Sequence, residues 1–462
     1  MNNQNNILKE NKMRHTPIGK LLFSMALPAI FSMLIQALYN IVDSLFVARI
    51  SSSNDELTAL NYAFPLQMIC LAIALGIGIG TSSVISRKLG AKLQNDANNA
   101  ATTGIFLAIC AALLIFILSF FVPRLFLNIY NDSKHIKDLA VNYLSITMAC
   151  SVGMFLEITI TKILQGTGNM IIPMLSQLLG AITNIVLDPI FIFNAGEGIG
   201  LPFGFGLGVT GAAIATVLGQ CLSGVFCIGI ILFQKHHVSF SFKNFKIRRE
   251  ILQGIFSVGI ATTVMNSINA LTTIVLNLIL SSSGVTILGT YFKVQSFIFM
   301  PVFGLTQGAL PIMGFNYGAK EKERFFKTFR LSVYTSLTIM TFGLLLFQFG
   351  STFITNMFNL GEISNLASNA FRIICLCFIP AAISIIISTM FQSIGHGYKS
   401  MLMSLLRQAV FLIPCALILK AITHADNAVW WAYPISELLC FSVFSGIAYK
   451  TSKTLFPKTK TI

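Results

Sequence analysis

Six ionisable side chains interrupt long apolar stretches of this 462-residue sequence: Asp43, Glu157, Asp188, Lys293, Arg407 and Glu437. At a bilayer centre each would cost about 2.5–3.5 kcal/mol on insertion scales, so each is a candidate for function. The four carboxylates could bind and release a proton or a monovalent cation. Asp188 has the most suggestive neighbours. Pro189 follows it, removing one amide donor and tending to bend a helix, and freed carbonyls beside a carboxylate can coordinate Na⁺. Asn184 lies one turn earlier, so its amide projects from the same helix face. Lys293 and Arg407 could hold an anionic group or pair with a carboxylate in a cleft. Glu437 follows the run WWAYP, an aromatic cluster typical of a membrane interface, so an interfacial position suits it as well as a cleft does.

Other chemistry is poorly supported. The glycines at 76, 78 and 80 and at 204, 206 and 208 only superficially resemble a nucleotide loop, and no GxxxxGK[ST] run is present. ATP is therefore not expected as a direct energy source, and the first glycine run reads as close helix packing. The six His fall in loops or tails, HExxH is missing, and the nine Cys have neither CxxC nor zinc-knuckle spacing. No metal site, cofactor or enzymatic activity is expected.

The elements that must position these groups are membrane spans. Mean hydropathy is +0.78, only 10% of residues are charged, and 40 Phe stand against 16 Asp and Glu. A soluble fold would leave too much apolar surface in water. The net charge of +15 does not point to nucleic acid, because the basic residues lie in short clusters between apolar stretches. Spans of roughly 20 or more apolar residues are predicted at 21–50, 57–86, 98–121, 138–165, 171–194, 209–233, 252–281, 286–315, 328–349, 366–393, 401–420 and 428–449. Most of the 31 Lys and Arg, Lys162 included, fall on even-numbered connections or tails. Both termini are therefore expected in the cytoplasm.

The chain also repeats itself. LQMICLAIALGIGIGTSSVISRKLGAK (66–92) lies over VQSFIFMPVFGLTQGALPIMGFNYGAK (294–320), pairing Gly76 with Gly304, Gly80 with Gly308 and the two GAK triplets. The predicted fold is an all-α integral membrane protein: twelve transmembrane helices in two six-helix bundles, related by a pseudo-two-fold axis along the membrane normal. Residues 1–20 form a tail, 21–233 an N-lobe, 234–251 a cytoplasmic linker, 252–450 a C-lobe and 451–462 a second tail. A cleft between such lobes suits alternating access.

LYNIVD at 38–43, QGTGN at 165–169, Asn184 with Asp188-Pro189, GVTGAAIAT at 208–216 and NYGAK at 316–320 together resemble the multidrug and toxic compound extrusion (MATE) family. YFKVQSF at 291–297 and the PISE run ending at Glu437 resemble its MepA-like bacterial branch. The resemblance spans essentially the whole chain. It implies two lobes in a V and antiport of lipophilic, mostly cationic compounds against H⁺ or Na⁺ at a bacterial plasma membrane, by a chain acting as a monomer. It also implies an N-lobe cation site at Asp43, Asn184, Asp188 and Thr216, with Tyr39 and Asn40 beside it. Acids that other members carry in helices 7 and 10 are missing from 252–281 and 366–393, which disfavours a C-lobe cation site. For organic cations, aromatic and Met contacts plus a carboxylate would serve. Met33, Gln36, Phe64, Met68, Phe155, Glu157 and Met300 are the expected cleft residues. Two rival readings are a lipid-linked precursor flippase, which would want a more cationic cleft, and a membrane-embedded enzyme or receptor.

Overall fold

The computed structural model describes residues 11–47, 50, 55–130, 133–196, 202–234, 237–240, 246–358 and 361–456. Among these, eleven helices are long and apolar enough to cross a membrane, and a bent pair makes a twelfth span. In chain order they are α1 (Ile18–Val47), α2 (Asp55–Gly90), α3 (Gln94–Leu118), α4 (Lys134–Ala149 with Val152–Gly166), α5 (Ile171–Ile192), α6 (Gly208–Phe233), α7 (Arg249–Ile279), α8 (Ser282–Gly318) and α9 (Lys322–Met357). The last three are α10 (Ser364–Ile374 through Phe378–Ser393), α11 (Gly397–Leu405 through Ile413–Thr423) and α12 (Ala432–Thr454). At 36 residues, α2 is roughly 54 Å long and exceeds a hydrocarbon core of about 30 Å, so it must tilt or project. Large apolar side chains on the outside, such as Phe233 at 90% exposure and Phe349 at 83%, are what a helix facing lipid presents.

Three spans are irregular where the apolar runs predict continuous helices. The fourth bends by 50° at residues 150–151, beside Gly153, where a Cβ would press on Cys221 of α6. In α10 a 3-10 turn at Cys375–Cys377 precedes Pro380. In α11 a π-helical segment at Leu406–Leu412 leads into Pro414. Proline cannot donate to the preceding turn, and local 3-10 or π geometry accommodates the lost bond.

Each half has its own core. In the first, Ala59, Ala63, Leu66, Tyr143, Phe155 and Ala213 pack together. In the second, Leu276, Tyr291, Phe347, Phe371 and Trp430 do the same. A third cluster mixes the halves, joining Met13, Leu22 and Met25 to Leu305, Met313, Phe391 and Phe444. It lies toward the end of the molecule that carries the first and last described residues. The segment read from sequence as an N-terminal tail is partly docked there. Asn11 Nδ2 donates to the Thr167 carbonyl at 3.1 Å, while Arg324 Nη2 donates to the carbonyls of Met13 and Thr16 at 2.9 and 2.8 Å. The linker is anchored too: Asp96 pairs with Lys88 at 2.7 Å and with Arg248 at 2.5 Å.

The lobes meet along α2–α7 and α1–α8, and the sequence repeat reappears as geometry. A Cβ on Gly76 would lie 2.6 Å from the Gly259 carbonyl, and one on its counterpart Gly304 would lie 2.5 Å from Ile30 Cα. Gly80 faces the Ile255 carbonyl as Gly308 faces Ala26. Repeat-related glycines therefore make repeat-related crossings, as a pseudo-two-fold requires. Small residues let the backbones approach this closely. The described interlobe contacts run from Ala72 and Ile30 toward the termini face, ending at Gly90 on Phe315 and Gly318 on Arg87. Beyond them, α2 and α7 each join their own lobe's core, so the V opens away from the termini face.

Candidate functional site

In the N-lobe, α5 and α6 pack through small residues. A Cβ on Gly219 would lie 2.9 Å from the Gly180 carbonyl, and one on Gly211 would overlap the Phe191 carbonyl. That proximity lets Asn184 of α5 reach Thr216 of α6. Asn184 Nδ2 donates to Asp188 Oδ1 at 3.1 Å and approaches Thr216 Oγ1 at 3.4 Å. Asp188 is fully buried and Asn184 is 3% exposed. The Asn184 amide oxygen accepts no hydrogen bond from the described residues. With the Asn184 amide rotated to turn its oxygen toward Asp188 and Thr216, carboxylate, amide oxygen and hydroxyl would form an oxygen-rich donor set suited to a hard cation. As it stands, the amide nitrogen holds the carboxylate. Tyr39, Asn40 and Asp43 belong to α1, which packs against α5; the side chains of Tyr39 and Asn40, like that of Asp43, lie outside the described residues.

Replacing Asn184 with Ala should remove the donor to Asp188. Hydrogen bonds to charged groups contribute about 1.5–3 kcal/mol, so the apparent Tm in detergent should drop clearly. Thr216→Ala, which breaks only a long contact, should shift it much less.

Glu157 is half-buried in the seam of α4 with α5 and α6, where Ser176 Oγ donates to its Oε1 at 3.4 Å. Ser176 in turn accepts from Cys227 at 3.1 Å. Of the expected cleft residues, Met33, Gln36, Met68 and Met300 are half-buried and Phe64 is 52% exposed. Phe155 is corrected: it has no exposed surface and packs into the N-lobe core. Lys293 is exposed. By helical periodicity it shares with Met300, Gly304 and Gln307 the α8 face opposite the core-facing Tyr291, Ile298 and Val302. That face meets α1 at Gly304, so Lys293 lies along the wall between the lobes.

Arg407 and Glu437 pair within the C-lobe, at 3.7 Å, and Glu437 is 6% exposed. Glu437 is thus enclosed by the protein and paired, rather than facing a cleft or the lipid. Next to Arg407, Gln408 donates to Asn269 Oδ1 at 2.5 Å and accepts from Thr272 at 3.0 Å, tying α11 to α7. Gln408→Leu should lower stability by about 1–3 kcal/mol, the cost of orphaning buried polar partners, read as a reduced midpoint in thermal unfolding.

A further buried charge is missing from the six that stand out in sequence. Lys162, placed by its position among the basic residues of the connections, lies inside α4 at 6% exposure. Its Nζ donates to Gln165 Oε1 at 3.0 Å and to Gln307 Oε1, in the other lobe, at 2.7 Å. Gln165 Nε2 also donates to Gln307 Oε1, at 3.2 Å. The QGTG run is a signal for this position, since Lys162 precedes Gln165 by one turn.

Known proteins share this architecture. The MatE family model matches residues 28–190 and 258–418. The multidrug export protein MepA of Staphylococcus aureus is 24% identical over 444 residues, 94% of each chain. The protein of the same name from Staphylococcus haemolyticus is 23% identical over 442 residues, 95% of each. A crystal structure of MATE in complex with MaL6 superposes with a TM-score of 0.90 at 24% identity, covering 97% of this chain and 99% of that one. A multidrug resistance MATE family transporter of the MOP superfamily, in its outward-facing conformation, gives 0.89 at 24% identity, covering 97% and 98%.

Proposed function

This chain belongs to the MatE family, and we propose that it exports lipophilic, mostly cationic compounds from a bacterial cell in exchange for H⁺ or Na⁺. The observation that carries the reading is the buried Asn184–Asp188–Thr216 constellation in one lobe of a two-lobed membrane fold. A carboxylate so enclosed exchanges its counter-ion only when the lobe opens to water, which is what an antiporter needs to couple ion passage to conformation. The multidrug export named for the MepA relatives supports the substrate class. Half-buried Met33, Met68 and Met300 with exposed Phe64 supply adaptable apolar contacts for varied ligands.

Coupling rests on alternation. With the termini in the cytoplasm, as the Lys and Arg distribution supports, the lobes are sealed on the cytoplasmic side and the V opens outward. Ion entry at Asp188 from outside would neutralise the lobe's charge beside Pro189, and the lobes would rock to release ion inward and accept substrate. The test is ethidium efflux from reconstituted vesicles under imposed ΔpH or ΔNa⁺. Efflux under one gradient identifies the coupling ion, and no efflux under either sinks the proposal.

A further inference from the structure

We infer that Lys162 is the positioning residue of the transport cycle: its ammonium, shared between Gln165 and Gln307, latches the two lobes together on the termini face. The inference rests on the alternating-access reading above but concerns a different part of the molecule from the Asp188 site.

Three observations build it. First, the contacts are side-chain bonds across the lobe boundary. Lys162 and Gln165 belong to α4 and Gln307 to α8, with Nζ to Oε1 distances of 3.0 and 2.7 Å and a third bond of 3.2 Å between the glutamines. Second, a path is built for the lysine stem. A Cβ on Gly78 of α2 would lie 2.8 Å from Lys162 Cγ, so only glycine there lets the stem pass beneath α2 to the other lobe. Third, the group is enclosed, at 6% exposure for both Lys162 and Gln165, while Gln307 is half-buried.

The rest of the seam is made mainly by backbone approaches and by bonds to carbonyls, such as Ser83 Oγ to the Gln392 carbonyl at 2.7 Å. Charged groups also meet it nearer the termini, where Arg324 donates to the Met13 and Thr16 carbonyls and the Arg87 guanidinium packs against Gly395; Lys162 brings a buried charge deeper in the seam. A charge-assisted hydrogen bond is about twice as strong as a neutral one, and a buried cation left with only one of its two acceptors, here Gln165, is disfavoured until water replaces the other. Parting the lobes removes Gln307 from Lys162. Opening of this face is thus tied to hydration of the seam, and the closed face is favoured while the seam stays dry.

The test reads lobe separation directly. Asn95 and Glu323 lie near the termini face and on opposite lobes, Asn95 exposed and Glu323 likewise. Spin labels at Asn95→Cys and Glu323→Cys, with exposed Cys110 and Cys150 replaced by Ser, report the distance between lobes in the full chain. Lys162→Met should raise the ratio of open to closed populations about tenfold, the scale of one lost charge-assisted bond. Lys162→Arg, which keeps a donor, should restore the closed distribution. Gln307→Glu, which converts the bridge to an ion pair, should narrow the distribution to the short distance and slow ethidium efflux about tenfold. A wild-type distribution in Lys162→Met, or equal opening in the Met and Arg variants, overturns the latch. Because the distances are read with no gradient and no substrate, failure of the export reading would leave this measurement standing, and the converse also holds.

Discussion

Asp188→Asn is expected to reduce gradient-driven ethidium efflux at least about tenfold, the equivalent of about 1.4 kcal/mol, with little loss of folded protein. The amide is nearly isosteric, so the bond from Asn184 Nδ2 to Oδ1 at 3.1 Å can persist while the ionisable group is gone. A neutral side chain at a fully buried position also removes the cost of holding a charge there, so stability should hold or rise. Loss of transport without loss of stability separates an ion-carrying carboxylate from one that only locks helices together; a locking residue would give the reverse pattern. Efflux above half the wild-type rate under both ΔpH and ΔNa⁺ would remove Asp188 from the coupling scheme.

The second large effect is expected at the glycine seam. A Cβ on Gly90 would overlap the Phe315 carbonyl, and one on Gly318 would overlap the Arg87 carbonyl. These obstacles are backbone atoms of long helices, which cannot rotate aside. Gly90→Val should therefore disfavour the sealed form by at least the usual overpacking cost of about 1–3 kcal/mol, and should raise labelling of the seam by water-soluble thiol reagents at a probe such as Ser83→Cys. Gly350, where an added Cβ would meet nothing within 4 Å, is the control: Gly350→Ala should be neutral or slightly stabilising, by about 0.4–1 kcal/mol. Equal labelling in the Gly90 and Gly350 variants would show that the seam yields more easily than its geometry implies.

Much of this was legible in the sequence because bilayer constraints act locally. A span must be apolar along its length, and an acid inside one stands out, so Asp188 with Asn184 one turn earlier could be read directly. The repeat was legible because the glycines that let helices cross cannot be replaced by larger residues, and Gly76 with Gly304 makes the point in space. What stayed hidden depends on partners remote in sequence. Lys162 looks like a lysine near a helix end, able to reach water, and only the position of Gln307, 145 residues away, reveals a buried bridge. Phe155 is apolar on an apolar helix, so composition cannot say whether it turns to the cleft or the core. The bend in α4 lies beside the close approach of Gly153 to Cys221, a contact between helices that neither residue announces.

Lys92 and Lys320 close equivalent turns after α2 and α8, and both adopt φ of 60°. This left-handed conformation costs a residue with a side chain roughly 1–2 kcal/mol. The same mild strain is thus stored at the same corner of both halves. A glycine at either corner would relieve it, so each turn keeps its lysine at a small cost in stability. The two halves answer to one mechanical constraint there, even though the buried Asn184–Asp188 pair belongs to the first half alone.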